Sequence, residues 1–589
     1  MRPDGYTAKR LVLASTQSPH SIGAPYCRQA VDGWVGKPER PSDALHSLGS
    51  LMEVSMRRAI STPILTAICL LASTAHSGEP VDLDAVTRIR DQGFRHSQVM
   101  DLAWHLTEAI GPRLTGTPAE LAAHEWAEDT FEGWGLESWL EAYDFGRSWA
   151  LERAQVRMLA PYAQPLEALP EAWSRGTEGP QSGTVVRATL ESLDDLEKWQ
   201  GKLSGKIVLL KDASKPSQVD ADLFRRFDDV GLDELEKYDI PDERRGEWRE
   251  KRIKYFKFWK HLTAFLEEEG VVATIEPSSR DNGVVRVTGN SWNRRGERPL
   301  GVPSLVMTTE HYNRLVRLID NDIEVELEVD VAVRWFEEDG RAYNTIADLK
   351  GSDLADETVV IGAHIDSWHA ATGATDNGGS CAVVMEALRI LKASGLKPRR
   401  TIRAALWSGE EQGFYGSRDY VQRRIATRPE PTDPEQLVLP TWARDKTWPI
   451  NPLPGHATIS AYFNTDYGTG RVRGIYAQEN AAVVPIFSAW LEPFADLGGD
   501  AVAMKIAYGT DHLTFDDVGI PAFQFIQDQM DYMSRTHHSN VDTFDHLDPD
   551  DLKQSAVIIA AVLWHAANRD QPLPRKPMPT APKTGDSSN

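Results

Sequence analysis

The sequence predicts an α/β protein built on a mostly parallel sheet with helices on both faces. Two observations carry that expectation. From about Asn344 to Asn568, strand-like and helix-like patterns alternate, as they do where crossover helices join parallel strands. The predicted strands of this part end in His, Asp and Glu, where open α/β sheets place their sites. A third observation adds a second region. From about Trp149 to Arg334, short β runs sit between turn residues and short helices.

The size agrees with several folded units. The chain has 589 residues and 65.6 kDa, with 41% apolar and 26% charged residues, ordinary for a globular protein. The net charge of −23 argues against a nucleic-acid partner, which needs a concentrated basic surface. The three cysteines, Cys27, Cys69 and Cys381, form no metal-ligand spacing and no disulfide framework.

At the N-terminus, residues 56–75 read as a secretory signal. Met56-Arg57-Arg58 is a positive start, Ile60 to Ala72 an apolar run, and Ser73-Thr74-Ala75 a small-residue cleavage site. The run is too short to span a membrane. Residues 1–55 then read as an over-long start assignment, with Met56 the true start. The mature protein is expected to be exported, periplasmic or extracellular, with no membrane span.

Along the mature chain, Val81 to Phe145 has a helical pattern. Val99, Met100, Leu102, Ala103 and Leu106 mark one helix over 96–110, ended by Gly111-Pro112. Ala119 to Trp134 marks a second. Expected β runs follow at 183–188, 206–210, 271–275, 304–307 and 323–333. Between them, residues 218–269 form a charged helical insert, read as a solvated face or as a lid over a cleft. In the alternating part, strands are expected at 358–363, 401–407, 459–465, 502–507 and 522–526. Helices are expected at 378–394, 412–425 and from Asp550 or Asp551 to about Asn568. The tail from 571, rich in Pro and Lys, reads as disordered.

The chemistry sits at the strand ends. The first gives His364-Ile365-Asp366, followed at a helix start by Asp376-Asn377-Gly378-Gly379. The next ends in Glu410-Glu411, the next in Asp466, and late in the domain comes His537-His538. Each alone reads as a core pair or surface charge. Together they bring carboxylates into mutual repulsion unless a cation joins them, and these are ligands that zinc accepts. A two-zinc reading gives each a role. His364 and Asp466 bind one ion, Glu411 and His538 the other, and Asp376 bridges. Asp366 orients the His364 imidazole. Glu410, beside a ligand, is the general base.

These motifs, with Trp407 to Gly413, Asn464-Thr465-Asp466 and His538 through Thr543, resemble the co-catalytic zinc exopeptidases. The resemblance extends to Ile110 through Gly116 and to Gly509-Thr510-Asp511, and is strongest to the branch of plasma glutamate carboxypeptidase. It implies a three-layer sandwich interrupted by an inserted β-rich protease-associated domain. The divisions are then 76–148 and 336–570 for the peptidase and 149–335 for the insertion. It implies two zinc ions per chain, small peptide substrates, a possible homodimer and a cis peptide between Asp376 and Asn377. His538 is preferred to His537 as ligand by its spacing to Asp542 and Thr543. Tyr508, Asp511, His512 and His537 are candidate substrate contacts, His512 through the tetrahedral intermediate. The expected activity is a carboxypeptidase or dipeptidase. An aminopeptidase of the same family, a glutaminyl cyclase and a non-catalytic receptor-like protein are the alternatives.

Overall fold

The computed structural model describes residues 78–215, 222–238, 244–296, 299–437 and 439–581. The expected signal segment and the residues before it lie outside that range.

An eight-stranded sheet forms the centre of the catalytic part. Its strand order is Glu137–Asp144, Arg341–Leu349, Arg400–Trp407, Leu354–His364, Ile459–Asn464, Ala522–Gln527, Val472–Tyr476 and Ala501–Ala503. The four strands from Arg400–Trp407 to Ala522–Gln527 run parallel, and antiparallel strands flank them. Alternation along Leu354–His364 explains why both faces are covered. Val359, Ile361 and Ala363 point to one core and Val360 to the other.

Helices Leu83–Arg95, Val99–Trp104, Gly379–Ala393 and Pro549–Asn568 pack on the first face. The last is buried nearly all round, the pattern of a helix inside a core. Pro549 begins it, and the Asp548 side chain accepts from the Asp550 and Asp551 amides. On the other face, Trp407, Tyr420, Tyr462 and Phe515 form an aromatic cluster.

Several expectations are corrected. Residues 137–144 continue the helical stretch in the sequence reading, but form a strand paired with Arg341–Leu349 along its whole length. Its partner is about 200 residues away, so no local pattern announces it. The helix over 96–110 ends at Trp104 and passes into a π-helical turn, His105–Ile110. The strand expected at 502–507 stops at Ala503, because the Gln478 side chain takes the backbone of Ala507 instead. Residues 571–581 are docked rather than disordered. Leu573 is buried in the main core, and Lys576 binds Asp516 and the Gln478 carbonyl.

A second eight-stranded sheet lies between the catalytic strands that end at Asp144 and begin at Arg341. Its order is Gln164–Leu166, Ser148–Ala160, Glu326–Phe336, Gln181–Arg187, Ile207–Leu209, Ala273–Pro277, Ser304–Met307 and Ala168–Pro170. It has its own core around Ile207, Ile275, Leu305 and Leu327. The charged insert leaves this sheet and lies against the catalytic part. Arg225 exchanges backbone hydrogen bonds with Met530, Arg226 Nη1 lies 2.6 Å from Asp551 Oδ2, and Phe256 packs on Leu439. Two helices, Asp229–Glu236 and Arg244–Glu268, make up most of it. No described helix is long and apolar enough to cross a membrane.

Candidate metal centre

The central parallel strands deliver their side chains to one end of the sheet. His364 ends its strand, Glu410 and Glu411 follow Arg400–Trp407, and Asp466 follows Ile459–Asn464. Asp376 sits in the turn leading into helix Gly379–Ala393, and His538 in the loop after Ala522–Gln527. The Asp376–Asn377 peptide is cis.

The geometry divides these groups into two sets. His364 Nε2 lies 3.1 Å from Asp466 Oδ1 and 3.4 Å from Asp376 Oδ1. His538 Nε2 lies 2.9 Å from Glu411 Oε2 and 3.4 Å from Asp376 Oδ2. Asp376 therefore turns one oxygen to each set. Glu410 Oε2 stands 4.0 Å from His364 Nε2, closer to the first set. A cavity of about 10 Å³, room for about one water-sized atom, is bounded by Asp376, Glu411 and His538.

The site is buried and acidic, and its proton affinities show the conflict. Burial pushes Glu410 and Glu411 well above the usual carboxylate range, with Asp466 adding to the first and Asp376 to the second. Burial also raises Asp466, against the pull of His364. Burial opposes the ionised form of Asp376, yet the His364 contact and the nearby His538 hold its carboxyl below the usual range. Burial resists a charge on His364, but Asp466 and Glu410 raise its proton affinity well above the usual imidazole range. Asp376 Oδ2 and Glu411 Oε1 are buried without a hydrogen-bond partner. A divalent cation satisfies all of this at once, by ligating the orphaned oxygens and reversing the electrostatic cost. The donor set of two imidazoles and three carboxylates suits zinc. Among the described residues, Asp376 with His537 and His538, His364 with Asp376 and Glu411, and His364 with Glu410 and Asp466 each bring ligand atoms within 4.8 Å of one another.

Supporting groups hold the donors. The Asp366 backbone carbonyl accepts from His364 Nδ1 at 2.9 Å, while its carboxylate is 3.5 Å away. That carboxylate instead accepts the amides of Glu410 (3.2 Å) and Glu411 (3.3 Å). Asp366 thus positions the His364 ring through its main chain and the two glutamates through its side chain. Asp542 caps the turn at Asp376, accepting from Thr375 N at 2.6 Å and Asp376 N at 3.1 Å. Burial raises it to about 7.

Arg113 was not among the candidate site residues, yet it is wholly buried beneath the site. Its guanidinium donates to the carbonyls of Leu106, Gly111, Ile365, Thr372 and Gly373. It ties the N-terminal helices to the loop between His364 and Asp376. Gly373 lies in that loop at φ +59, where a Cβ would meet Ser367 Cβ at 2.3 Å. The signal was present, because Arg113 lies inside the Ile110–Gly116 motif, but its burial is not readable there.

The candidate substrate contacts separate. Tyr508 is 43% exposed, with its backbone bound to the Tyr467 hydroxyl. Asp511 is buried, bound to Ser417 Oγ at 2.5 Å and raised to about 7 by burial. His537 packs against His538 in a tilted ring pair with centroids 3.7 Å apart. His512 is fully buried, its Nε2 is 3.1 Å from the Ala507 carbonyl, and burial pushes it down to about 3. That contact ties it to its own loop, and its Nδ1 is buried without a hydrogen-bond partner.

Known proteins resemble the chain at the level of family and fold. Residues 344–563 match peptidase family M28. Carboxypeptidase Q of Bos taurus is 24% identical over 471 residues, which cover 80% of this chain and 85% of that protein. The Homo sapiens carboxypeptidase Q is 25% identical over 277 residues, covering 46% of this chain and only 52% of that protein. Among solved structures, a Peptidase M28 precursor from Shewanella amazonensis superposes with a TM-score of 0.60 at 24% identity, covering 85% of this chain and 99% of that one. A zinc aminopeptidase from Bacillus subtilis gives 0.50 at 18% identity, over 80% and 95%. These two likenesses concern the fold.

Proposed function

We infer from the match of residues 344–563 to peptidase family M28 that the chain is a metallopeptidase of that family, and propose a dinuclear zinc exopeptidase of carboxypeptidase or dipeptidase type, acting on small peptides. One observation carries the reading. Asp376 presents one oxygen to His364 and the other to His538, as a carboxylate shared between two ions would. His364, Asp376 and Asp466 would hold one ion, and Asp376, Glu411 and His538 the second. When bound, zinc supplies Lewis acidity toward the scissile carbonyl and acidifies water.

The remaining work falls to the chain. Glu410 takes a proton from the attacking water and returns it to the leaving amine. Asp366 holds Glu410 in place through its backbone amide. Trp368 and His538, in edge contact with each other, wall the cleft. The preference for a carboxypeptidase or dipeptidase follows the relatives named carboxypeptidase Q. Export by the segment 56–75 belongs to the same proposal, and N-terminal sequencing of the secreted protein tests it. A mature start near residue 76 is expected.

The activity is tested with dipeptides free at both ends, blocked at the amine, or blocked at the carboxylate, with products identified by mass. Cleavage is expected to survive a blocked amine (carboxypeptidase) or to need both ends free (dipeptidase), and to stop on chelation. Cleavage that needs only the free amine assigns an aminopeptidase instead. No cleavage by the metal-replete protein rejects the peptidase proposal.

A further inference from the structure

The two sets of donors reach the centre by different routes. His364 ends a central strand and Asp466 follows the neighbouring one, so the sheet itself holds the first set. His538 comes only after the loop 528–537, so the second set depends on whatever holds that loop. Within it, the π-helical turn Tyr532–Thr536 is closed by His537 N, which donates to the Tyr532 carbonyl at 2.9 Å. The backbone on either side of the turn is strained. Met530 at φ +49 and His538 at φ +58 both lie in the left-handed region. Residues with a side chain rarely adopt it, and it persists where surrounding contacts impose it.

At the His538 end, a bond from the second sheet does this, with Val287 N donating to the His538 carbonyl at 3.0 Å. At the Met530 end, the charged insert does it. Segment 223–227 runs along the loop. Arg225 and Met530 exchange both backbone hydrogen bonds at 2.8 Å. Phe227 N donates to Asp528 Oδ1 at 2.8 Å, and Ser534 Oγ donates to the Leu223 carbonyl. Arg226 adds an ion pair at the start of the loop. Its Nη1 lies 3.3 Å from Asp528 Oδ2 and 2.6 Å from Asp551 Oδ2, and both carboxylates are buried. Arg471 and Arg473, from the catalytic part, stand beside the same aspartates. Losing Arg226 therefore leaves that charge countered and loosens the insert from the loop.

We propose that segment 223–227, through Arg226, is a positioning element for the second metal position, holding the loop 528–537 so that His538 meets Glu411 and Asp376. Arg226 acts through Asp528 and the loop, not on the ion. The inference rests on the two-ion peptidase reading, and its test separates the two.

Metal-stripped protein is titrated with zinc against a competing chelator, and the two binding steps are fitted separately. The second position is the step that Glu411→Gln removes. Arg226→Gln is expected to weaken that step by about ten- to a hundredfold, as loss of a group supporting a metal ligand does, and to leave the other step unchanged. Arg226→Lys should recover part of the loss. Ser534→Ala, which removes one hydroxyl and spares the ion pairs, should weaken the same step less. Lys257→Gln cuts a different tie of the insert, the 2.7 Å pair with Glu435, and should change neither step. Thermal melting of the zinc-free proteins checks that each folds. At saturating zinc, Arg226→Gln should regain the wild-type kcat and KM. A kcat that stays low there, equal weakening of both steps, no weakening of either, or the same loss in Lys257→Gln overturns the positioning role, while peptide cleavage by the wild type keeps the peptidase reading. Selective loss of the second step in a protein whose wild type cleaves no peptide keeps the positioning role and overturns the peptidase. A wild type that takes up a single zinc overturns both the two-ion reading and the positioning role.

Discussion

At the scale of single residues, neighbouring carboxylates in this site do different work. Asp376 serves both sets of donors, whereas Glu410 lies nearer only one. Asp376→Ala is therefore expected to lose metal as well as activity, read as zinc per chain after dialysis. Full metal content would reject the shared role. Glu410→Gln should keep its metal and lose about 10²- to 10⁴-fold in kcat, the usual contribution of a general base. Wild-type turnover would remove it from the mechanism. His512 gives a test by pH. Its folded value is about 3 against an unfolded value near 6.5, so unfolding takes up a proton between those limits. Stability linked to His512 is full above about pH 6.5 and falls as pH drops toward 3. His512→Gln should flatten the fall in urea midpoint over that window, and an unchanged slope would assign the acid sensitivity elsewhere.

At the scale of elements, helix Pro549–Asn568 shows how far local signals reach. Its start was legible from Pro549 and the acidic first turn, and its burial follows from an apolar stretch with few charges. Asp548 accepts two otherwise orphaned amides, so Asp548→Ala is expected to cost about 1 kcal/mol, seen as a lower denaturant midpoint at unchanged m-value. An unaltered midpoint would show that water replaces the cap. Strand Glu137–Asp144 is the opposite case. Its hydrogen bonds come from residues 341–348, and edge pairing of that kind leaves little local periodicity. The 218–269 insert was readable as charged and helical, but not as anchored. Arg226 reaches Asp528 and Asp551 across about 300 residues of chain, and like charge on those two aspartates is what the arginine relieves.

At the scale of the whole molecule, the two sheets meet at the metal centre. The catalytic sheet supplies the donors, and the inserted sheet lays Val285 to Val287 beside the His538 loop. The buried carboxylates repel one another until a cation joins them, so metal binding and folding are coupled. Chelation is expected to lower the thermal midpoint, and zinc at about a thousandfold above its Kd to restore roughly 4 kcal/mol. A midpoint indifferent to chelator would mean that the site is held by the fold alone.

The sequence by itself determined the chemistry available. Parallel strands announce themselves as short apolar runs, and the residues at their ends are readable one by one, so His364, Asp376, Glu410, Glu411, Asp466 and His538 could be named before any coordinates. The tertiary structure decided what those groups face. It set the division of Asp376 between two sets, the turn of the Asp366 carboxylate toward two backbone amides, and the burial of Arg113 and His512. It also placed Arg286 against a loop about 250 residues further along the chain. The physical reason is the same in each case. Periodicity and residue type record what a segment does with its neighbours in sequence, while distance, burial and charge pairing at this centre arise between segments that only folding brings together.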